Sequence, residues 1–165
     1  MQRSSRVDYD AIAPLYDSQP HHEKSPDPAL ATFLAKRSPL GTALLLDIAC
    51  GTGNQLVANR AIASSARMVG FDRSIGMLHQ ARAKSAEIGW IHGDSSALPF
   101  ASDTFDFASC QYALHHFRDK DTLRCGVRGW IAPPGERAGR PERTAFPHRS
   151  FVFSHRSRRQ AAALS

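Results

Sequence analysis

The sequence predicts an α/β fold, a doubly wound parallel sheet of about four strands with flanking helices, followed by an irregular C-terminal tail. Three observations predict this. Short apolar runs alternate with helical patterns through the middle of the chain. The first run, ALLLDI, is continuously apolar, which is typical of a strand covered on both faces. Asp and Gly gather directly after the runs, at the strand ends where parallel sheets bind ligands.

The first 40 residues predict two helices ahead of the sheet. The segment VDYDAIAPLYD is a short helix, and SQPHHEKSPDP is a loop. The segment PALATFLAKR is a second helix, with Pro28 near its first turn, where the missing amide hydrogen costs nothing. We therefore treat residues 1–40 as an N-terminal helical segment that leads into the sheet.

Residues 41–123 carry the predicted core of the domain. Its helices are expected over 54–64 and from Ser74, a residue suited to capping, to about Ala86. Ile75, Leu78 and Ala81 share one face of the second helix. A further helix is expected to open at Asp119. The strands are expected at 43–48, at 67–71, in a short run ending near His92, and at 104–110.

The composition excludes several classes of protein. At 165 residues the chain has room for one domain, and no run of 18 apolar residues predicts a membrane span. The N-terminus has no apolar run behind its basic residues, so it does not resemble a secretory signal. Three widely spaced cysteines favour a reducing compartment over a disulfide framework. We expect a cytoplasmic protein.

The net charge of +6 belongs to the end of the chain. Residues 1–123 hold 12 Lys and Arg against 13 Asp and Glu, whereas residues 124–165 hold nine Arg and two Glu. The body of the protein is therefore close to neutral, and its charge does not indicate a nucleic-acid partner.

The stretch DIACGTGN, residues 47–54, predicts a ligand-binding glycine loop after the first strand. A dinucleotide fingerprint has three glycines, and Leu56 occupies the place of the third. Asp47 also opposes a pyrophosphate, because two like charges ~4 Å apart repel by about 4 kcal/mol at an effective dielectric constant near 20. No Gly-Lys-Ser/Thr follows, which excludes a Walker loop.

A cationic ligand reverses the sign of that interaction. S-adenosylmethionine carries an ammonium and a sulfonium and no phosphate. Gly51 and Gly53 would allow its close approach to the backbone, Asp72 would accept from the ribose hydroxyls, and Asp94 with Ser95 would meet the adenine. The alternative is that the acids are turn residues or helix caps and the glycines only form tight turns.

Three segments, LLLDIACGTGN, VGFDRSIGMLHQAR and GDSSALPFASDTFDFASCQYALHHF, resemble the class I S-adenosylmethionine-dependent methyltransferases. The resemblance covers about residues 8–123 and is strongest to the type 11 domain, which includes ubiquinone/menaquinone C-methyltransferases. It implies a Rossmann-like fold, a small-molecule methyl acceptor and no protein nucleophile. The family usually has glycine where this chain has Ala49. The cofactor-binding residues that the resemblance implies are Asp47, Ala49, Gly51, Gly53, Asp72, Arg73, Met77, Asp94, Ser95 and Gln111.

The same resemblance implies that the N-terminal segment is a cap over the site, with Tyr9 and Tyr16 on its first helix. His115 and His116, just past the fourth strand, are the candidates for a general base, and polar loop positions are the alternative for them. No C-x-x-C or H-x-x-x-H spacing is present, so no metal site is predicted. An NAD-dependent oxidoreductase and a non-catalytic protein that binds nucleic acid through RSFVFSHRSRR stay open as alternatives.

The tail, residues 124–165, departs from the family. The family continues with a helix and three further strands, whereas the tail is rich in Arg, Pro, Gly and Ala and has no Lys. It is either a natural disordered extension of a truncated enzyme or an out-of-frame translation, which reading the gene in all three frames tests. The run FVF, residues 151–153, is too short to supply three strands. The fourth strand is then expected to be an exposed apolar edge, and the chain to have weak or no activity.

Overall fold

The computed structural model describes residues 7–20, 22–36, 42–101, 104–111 and, for the backbone, 150–154. Within them the chain forms four helices and five strands. The predicted alternation of strands and helices over residues 43–111 is confirmed. The elements, in chain order, are α1 Tyr9–Tyr16, α2 Pro28–Ala35, β1 Leu44–Ile48, α3 Asn54–Asn59, β2 Arg67–Asp72, α4 Ile75–Lys84, β3 Gly89–His92, β4 Phe107–Gln111 and β5 Ser150–Ser154.

The five strands form one sheet in the order β3-β2-β1-β4-β5. The first four are parallel, which confirms the predicted fold class. After β1 the chain builds outward to β2 and β3 on one side, and β4 lies on the other. The carboxyl ends of β1 and β4 therefore flank the topological switch point, where ligands bind in sheets of this kind.

The described part of the tail corrects one expectation. Ser150–Ser154 pairs antiparallel with Phe107–Gln111, so β4 is an inner strand of the sheet and not an exposed edge. The run FVF, predicted to be too short for the family's three further strands, forms one strand together with a serine on each side. The helix expected at Asp119 and the rest of the tail lie outside the described residues.

Two predicted element boundaries are wrong by a few residues, and one residue predicted to be buried is exposed. Helix α3 ends at Asn59 instead of residue 64. The guanidinium of the next residue, Arg60, donates to the carbonyl of Ala66 at 2.8 Å and stabilises a turn after the helix. Strand β4 begins at Phe107, because its ladder with β1 begins there. Ile75, expected on the buried face of α4, is 50% exposed, whereas Leu78 and Ala81 are buried as predicted.

Apolar side chains are buried on both faces of the sheet. Along β1, Leu45 belongs to one core cluster, and Leu46 and Ile48 belong to the other. Burying one such side chain stabilises the fold by ~1.5–3 kcal/mol, which explains why β1 is continuously apolar up to Asp47. Among the described helices, none combines the length and the apolarity that crossing a bilayer would require.

Candidate functional site

The loop after β1 has an unusual backbone. Gly51 and Gly53 have φ angles of 55° and 76°, in the left-handed region that glycine adopts freely. Ala49 also lies there, at φ 58°, and it is the one non-glycine residue with positive φ in the described part of the chain. Ala49 therefore carries backbone strain, because left-handed geometry costs an L-residue ~1–2 kcal/mol.

The two loop glycines face different surroundings. A Cβ on Gly53 would lie 2.8 Å from Cζ3 of Trp90 and closer still to Cη2. A Cβ on Gly51 would meet no atom within 4 Å. The loop therefore rests on the Trp90 indole at Gly53 and borders open space at Gly51.

Asp72, the last residue of β2, ties the two strand ends together. Its Oδ2 accepts from the Gly51 amide at 2.8 Å, and its Oδ1 accepts from the Ser74 amide at 2.8 Å. Asp72 is buried, with an exposure of 7%. Because each carboxylate oxygen can accept more than one hydrogen bond, Asp72 retains capacity for a ligand hydroxyl.

Asp47 is an acid buried in the sheet one residue before the end of β1. It is 3% exposed, and the Ser109 hydroxyl donates to its Oδ1 at 2.8 Å. Burial raises the pKa of Asp47 to about 7, although the hydrogen bond from Ser109 works in the opposite direction. The charges of Asp27 and Asp72 also raise this pKa, and Lys24 lowers it. The site therefore holds three neighbouring carboxylates, an arrangement that favours a cation.

The predicted adenosine residues lie at the ends of β2 and β3. Arg73 is exposed, and Met77, in the first turn of α4, is 1% exposed. Asp94 is exposed, and its Oδ1 accepts from the Ser96 amide at 2.9 Å, with Ser95 between them. That hydrogen bond is what the turn-residue alternative expects, so the adenine role of Asp94 and Ser95 stays a prediction.

The two tyrosines of α1 lie within electrostatic reach of Asp72. Burial, and then the Asp72 charge, raise the pKa of Tyr9. Burial also raises the pKa of Tyr16, with smaller contributions from Tyr9, Asp17 and Asp72. The Tyr16 ring stacks on His22, with centroids 3.9 Å apart. The N-terminal segment therefore lies over the predicted ribose site, although the cap role itself stays a prediction.

The sequence reasoning missed the polar contacts that hold this segment. Asp17 accepts from the Thr52 hydroxyl at 2.6 Å and from the Asn54 amide at 2.8 Å, and it pairs with Lys84. Burial alone would raise the pKa of Asp17, but hydrogen bonds from Lys84, Thr52 and Asn54 outweigh burial and lower it. We call Asp17, Thr52, Asn54 and Lys84 the Asp17 cluster. Its contacts join residues 30 to 67 positions apart along the chain, beyond the reach of any local pattern.

A second set of contacts joins the same segment to α4. Asp10 accepts from the Gly76 amide and from the Ser74 hydroxyl, each at 2.7 Å. The hydrogen bond from Gly76, and then the one from Ser74, lower the pKa of Asp10, although this residue is exposed. Helix α1 is thus anchored at the start of α4 by Asp10 and at the glycine loop by Asp17.

Gln111, predicted as a cofactor-binding residue, is held by an acid that was not predicted. Its Nε2 donates to Asp27 Oδ2 at 2.7 Å. Asp27, 3% exposed, also caps α2 through the Ala29 amide at 2.8 Å, and its own amide donates to Asn59. The Asp-Pro pair indicates the cap from sequence, but nothing local indicates the long-range partner.

His115 and His116 lie outside the described residues. Within the described ranges, no group of three His, Cys, Asp or Glu is arranged to hold a metal ion. The site that the structure brings together consists of Asp47, Ala49, Gly51, Gly53, Asp72 and Gln111 at the sheet, with Tyr9 and Tyr16 above it.

Comparison with known proteins places this site in context. Residues 45–133 match a family model described as a methyltransferase domain. That match includes residues 124–133, the first ten residues of the predicted tail. The demethylmenaquinone methyltransferase of Bacillus velezensis is 28% identical over 155 residues, which is 88% of this chain and 64% of that protein. The tRNA (carboxymethyluridine(34)-5-O)-methyltransferase of Saccharomyces cerevisiae is 33% identical over 113 residues, 68% of this chain and 37% of that protein.

A crystal structure of a SAM-dependent methyltransferase from Thiobacillus denitrificans, in complex with S-adenosyl-L-homocysteine, has a TM-score of 0.51 and 21% identity. The likeness covers 72% of this chain and 51% of that one, and it shows the fold alone. The chain spans at most 64% of the length of the first demethylmenaquinone methyltransferases it matches.

Proposed function

The chain belongs to the class I S-adenosylmethionine-dependent methyltransferases, and on that premise we propose that it transfers a methyl group from this cofactor to a small molecule. The family cofactor is the one that the acids at the strand ends predicted. The proposal concerns which residues bind it here and what class of acceptor receives the methyl group.

One observation carries the proposal. The buried Asp47 lies beside a glycine loop that is open at Gly51, where a Cβ would meet no atom within 4 Å. A cation bound there gains Coulomb attraction from a carboxylate in a poorly solvated position. A pyrophosphate would be repelled by the same charge and by Asp72. The electrostatics therefore support the ammonium and sulfonium of the cofactor against a dinucleotide.

The roles follow the strand ends. The β1 loop, Asp47 with Gly51 and Gly53, holds the methionine part of the cofactor. Asp72 accepts from the ribose with the lone pairs that its backbone contacts leave available. The other proposed cofactor-binding residues are Ala49, Arg73, Met77, Asp94, Ser95 and Gln111, and the proposed cap residues are Tyr9 and Tyr16.

The protein's contribution to the reaction is alignment. Bound S-adenosylmethionine supplies an electrophilic methyl group, so the acceptor attacks in line and no protein nucleophile is required. Holding both reactants in that geometry contributes ~7–11 kcal/mol to lowering the barrier. Asp27 holds Gln111 at the end of β4, and the proposed role of Gln111 is to orient the acceptor. His115 and His116 stay the candidates for removing the acceptor proton where one must leave.

Calorimetry with S-adenosylhomocysteine tests the cofactor site. We expect binding by the full chain, no binding of NAD, and at least ~10-fold weaker binding by Asp72→Ala, which loses a buried, hydrogen-bonded carboxylate. Glu87→Gln, which removes an exposed charge before β3, is the control and should bind as the wild type does. Binding of NAD in preference to S-adenosylhomocysteine would overturn the proposal.

An RNA acceptor is the second candidate. It is favoured by the 33% identity to a protein named as a tRNA methyltransferase and by the nine arginines of residues 124–165. It predicts RNA binding that weakens steeply with salt and is lost when those residues are deleted. A small-molecule acceptor predicts no such binding.

A further inference from the structure

We propose that Ser109 is a positioning residue for cofactor binding: its hydroxyl keeps the buried Asp47 in the ionised form that a cationic cofactor requires. This inference rests on the proposed function, because it concerns the same site. Ser109 itself is not expected to touch the cofactor, since its donor hydrogen is engaged with Asp47.

The geometry comes from the register of the sheet. Asp47 on β1 and Ser109 on β4 are direct partners across the switch point. Register partners of neighbouring parallel strands project to the same face, so the hydroxyl reaches the carboxylate without leaving the strand. The Oγ–Oδ1 distance is 2.8 Å, and both residues are buried, at 1% and 3% exposure. A charge-assisted hydrogen bond at such a site is little weakened by competing water.

The charged groups around Asp47 make this hydrogen bond important. Asp27, at the N-cap of α2, and Asp72, at the end of β2, both disfavour a third negative charge. Lys24, in the loop before α2, favours it. Burial, and then the charge of Asp47, raise the pKa values of the Cys50 and Cys110 thiols, so both thiols stay neutral. Burial and two carboxylates disfavour the ionised form, and the Ser109 hydroxyl, with one ammonium, offsets part of their effect.

This arrangement predicts a particular pH dependence. The pKa of Asp47 is raised to about 7, so the ligand-free site is ionised above that pH and protonated below it. A cationic ligand binds the ionised form, and its affinity therefore falls as the pH falls through that region. Removing the Ser109 hydroxyl raises the pKa of Asp47 further, which moves the loss of affinity to higher pH.

The test uses Ser109→Ala and the conservative Ser109→Thr in the full chain. The carboxyl carbon of Asp47 is followed by NMR titration without ligand, and the dissociation constant of S-adenosylhomocysteine is measured across the same pH range. Taking the ratio of variant to wild type at each pH cancels the ligand's own titration. We expect Ser109→Ala to raise the Asp47 pKa by about one unit, which lowers the affinity about fivefold near pH 7 and approaches a loss of about tenfold at lower pH. The loss shrinks at higher pH, and Ser109→Thr restores both readouts.

A control separates positioning from packing. Cys110→Ala truncates the next residue of β4, which is buried in the opposite core cluster. It should change the affinity by the same factor at every pH. A loss in Ser109→Ala that is likewise independent of pH would overturn the inference.

The two proposals fail in different ways. If the wild type binds no S-adenosylhomocysteine at any pH, the proposed function fails, and the Asp47 titration still decides the inference. An Asp47 pKa that is the same in the wild type and in Ser109→Ala overturns it, whatever the ligand data show.

Discussion

The carboxyl edge of the sheet and the N-terminal segment above it are held by different forces. The edge, residues 47–53 with Asp72, continues buried apolar strands, and its buried acids accept hydrogen bonds from Gly51, Ser74 and Ser109. In helix α1 one residue, Ala13, is buried. The helix is anchored through the side chains of Asp10 and Asp17. The edge is therefore part of the core, whereas α1 is held at the surface by polar side chains.

The two regions should therefore control different properties. We expect the edge to determine stability and the anchors of α1 to determine ligand access. Changes at the edge disturb packing and buried charge, so they alter the free energy of unfolding. Changes in the anchors remove partly exposed polar contacts, each worth ~0–1 kcal/mol, and should alter mainly the opening of the site. Four substitutions test this contrast.

The largest effect is expected at Gly53. Gly53→Ala forces a methyl group into the Trp90 indole at a positive φ, and we expect a loss of about 3 kcal/mol in the free energy of unfolding. Urea unfolding measures it. Gly51→Ala is the matched control: its φ is also positive, but no atom lies within 4 Å of the new methyl group. It should cost about 1–2 kcal/mol of stability. Equal losses in the two variants would show that the indole gives way easily.

Asp47 should show a conflict between stability and binding. Its raised pKa means that the folded protein pays to keep it ionised, so Asp47→Asn should raise the free energy of unfolding at pH near 7.5 by ~2 kcal/mol. The gain is full above the folded pKa of about 7 and shrinks as the pH falls toward the ordinary pKa of aspartate. The same change should weaken S-adenosylhomocysteine binding ~100-fold, through the loss of a buried charge.

Unfolding curves at several pH values, with calorimetry, check both halves of this expectation. Asp106→Asn, which changes a carboxylate at the other end of the sheet beside Leu44, is the control. It should leave binding unchanged. A destabilised Asp47→Asn protein would mean that Asp47 is stabilised as an anion by more than Ser109 and Lys24.

The anchors of α1 should affect rates more than stability. Asp17→Asn loses the ion pair with Lys84, and we expect at most ~1 kcal/mol of destabilisation. If α1 must lift for the cofactor to leave, S-adenosylhomocysteine should dissociate several-fold faster, and amides of residues 9–16 should exchange hydrogen faster. Stopped-flow and hydrogen exchange measure these changes. The control Glu23→Gln removes an exposed acid between α1 and α2, and it should change neither the dissociation rate nor the hydrogen exchange. Unaltered exchange in Asp17→Asn would show that α1 is held by packing after all.

The contrast between the regions also explains how far the sequence could be interpreted. Apolar runs located β1 and β2 within a residue or so, because burial dictates their pattern. The order of acids after the strands predicted the family cofactor. The contacts of Asp17 with Lys84 and of Gln111 with Asp27 join residues 67 and 84 positions apart, and no local periodicity encodes them. The pairing of β5 with β4 was missed because it also joins distant residues. In addition, FVF alone is a weak strand signal.

The smallest effect is expected at Ala49, where the sequence differs from the family's usual glycine. Its φ of 58° costs an alanine about 1–2 kcal/mol, and glycine removes that cost while adding ~0.5–1 kcal/mol of unfolded-chain entropy. Ala49→Gly should therefore stabilise the protein by ~0.5–1 kcal/mol, measured by urea unfolding. Ala83→Gly, on the exposed side of α4, carries the same entropy without the strain, and should destabilise by about 1 kcal/mol. Opposite signs for one chemical change would show that the strain lies in the backbone of the glycine loop, whereas a loss at both positions would mean that packing of the Ala49 methyl group outweighs it.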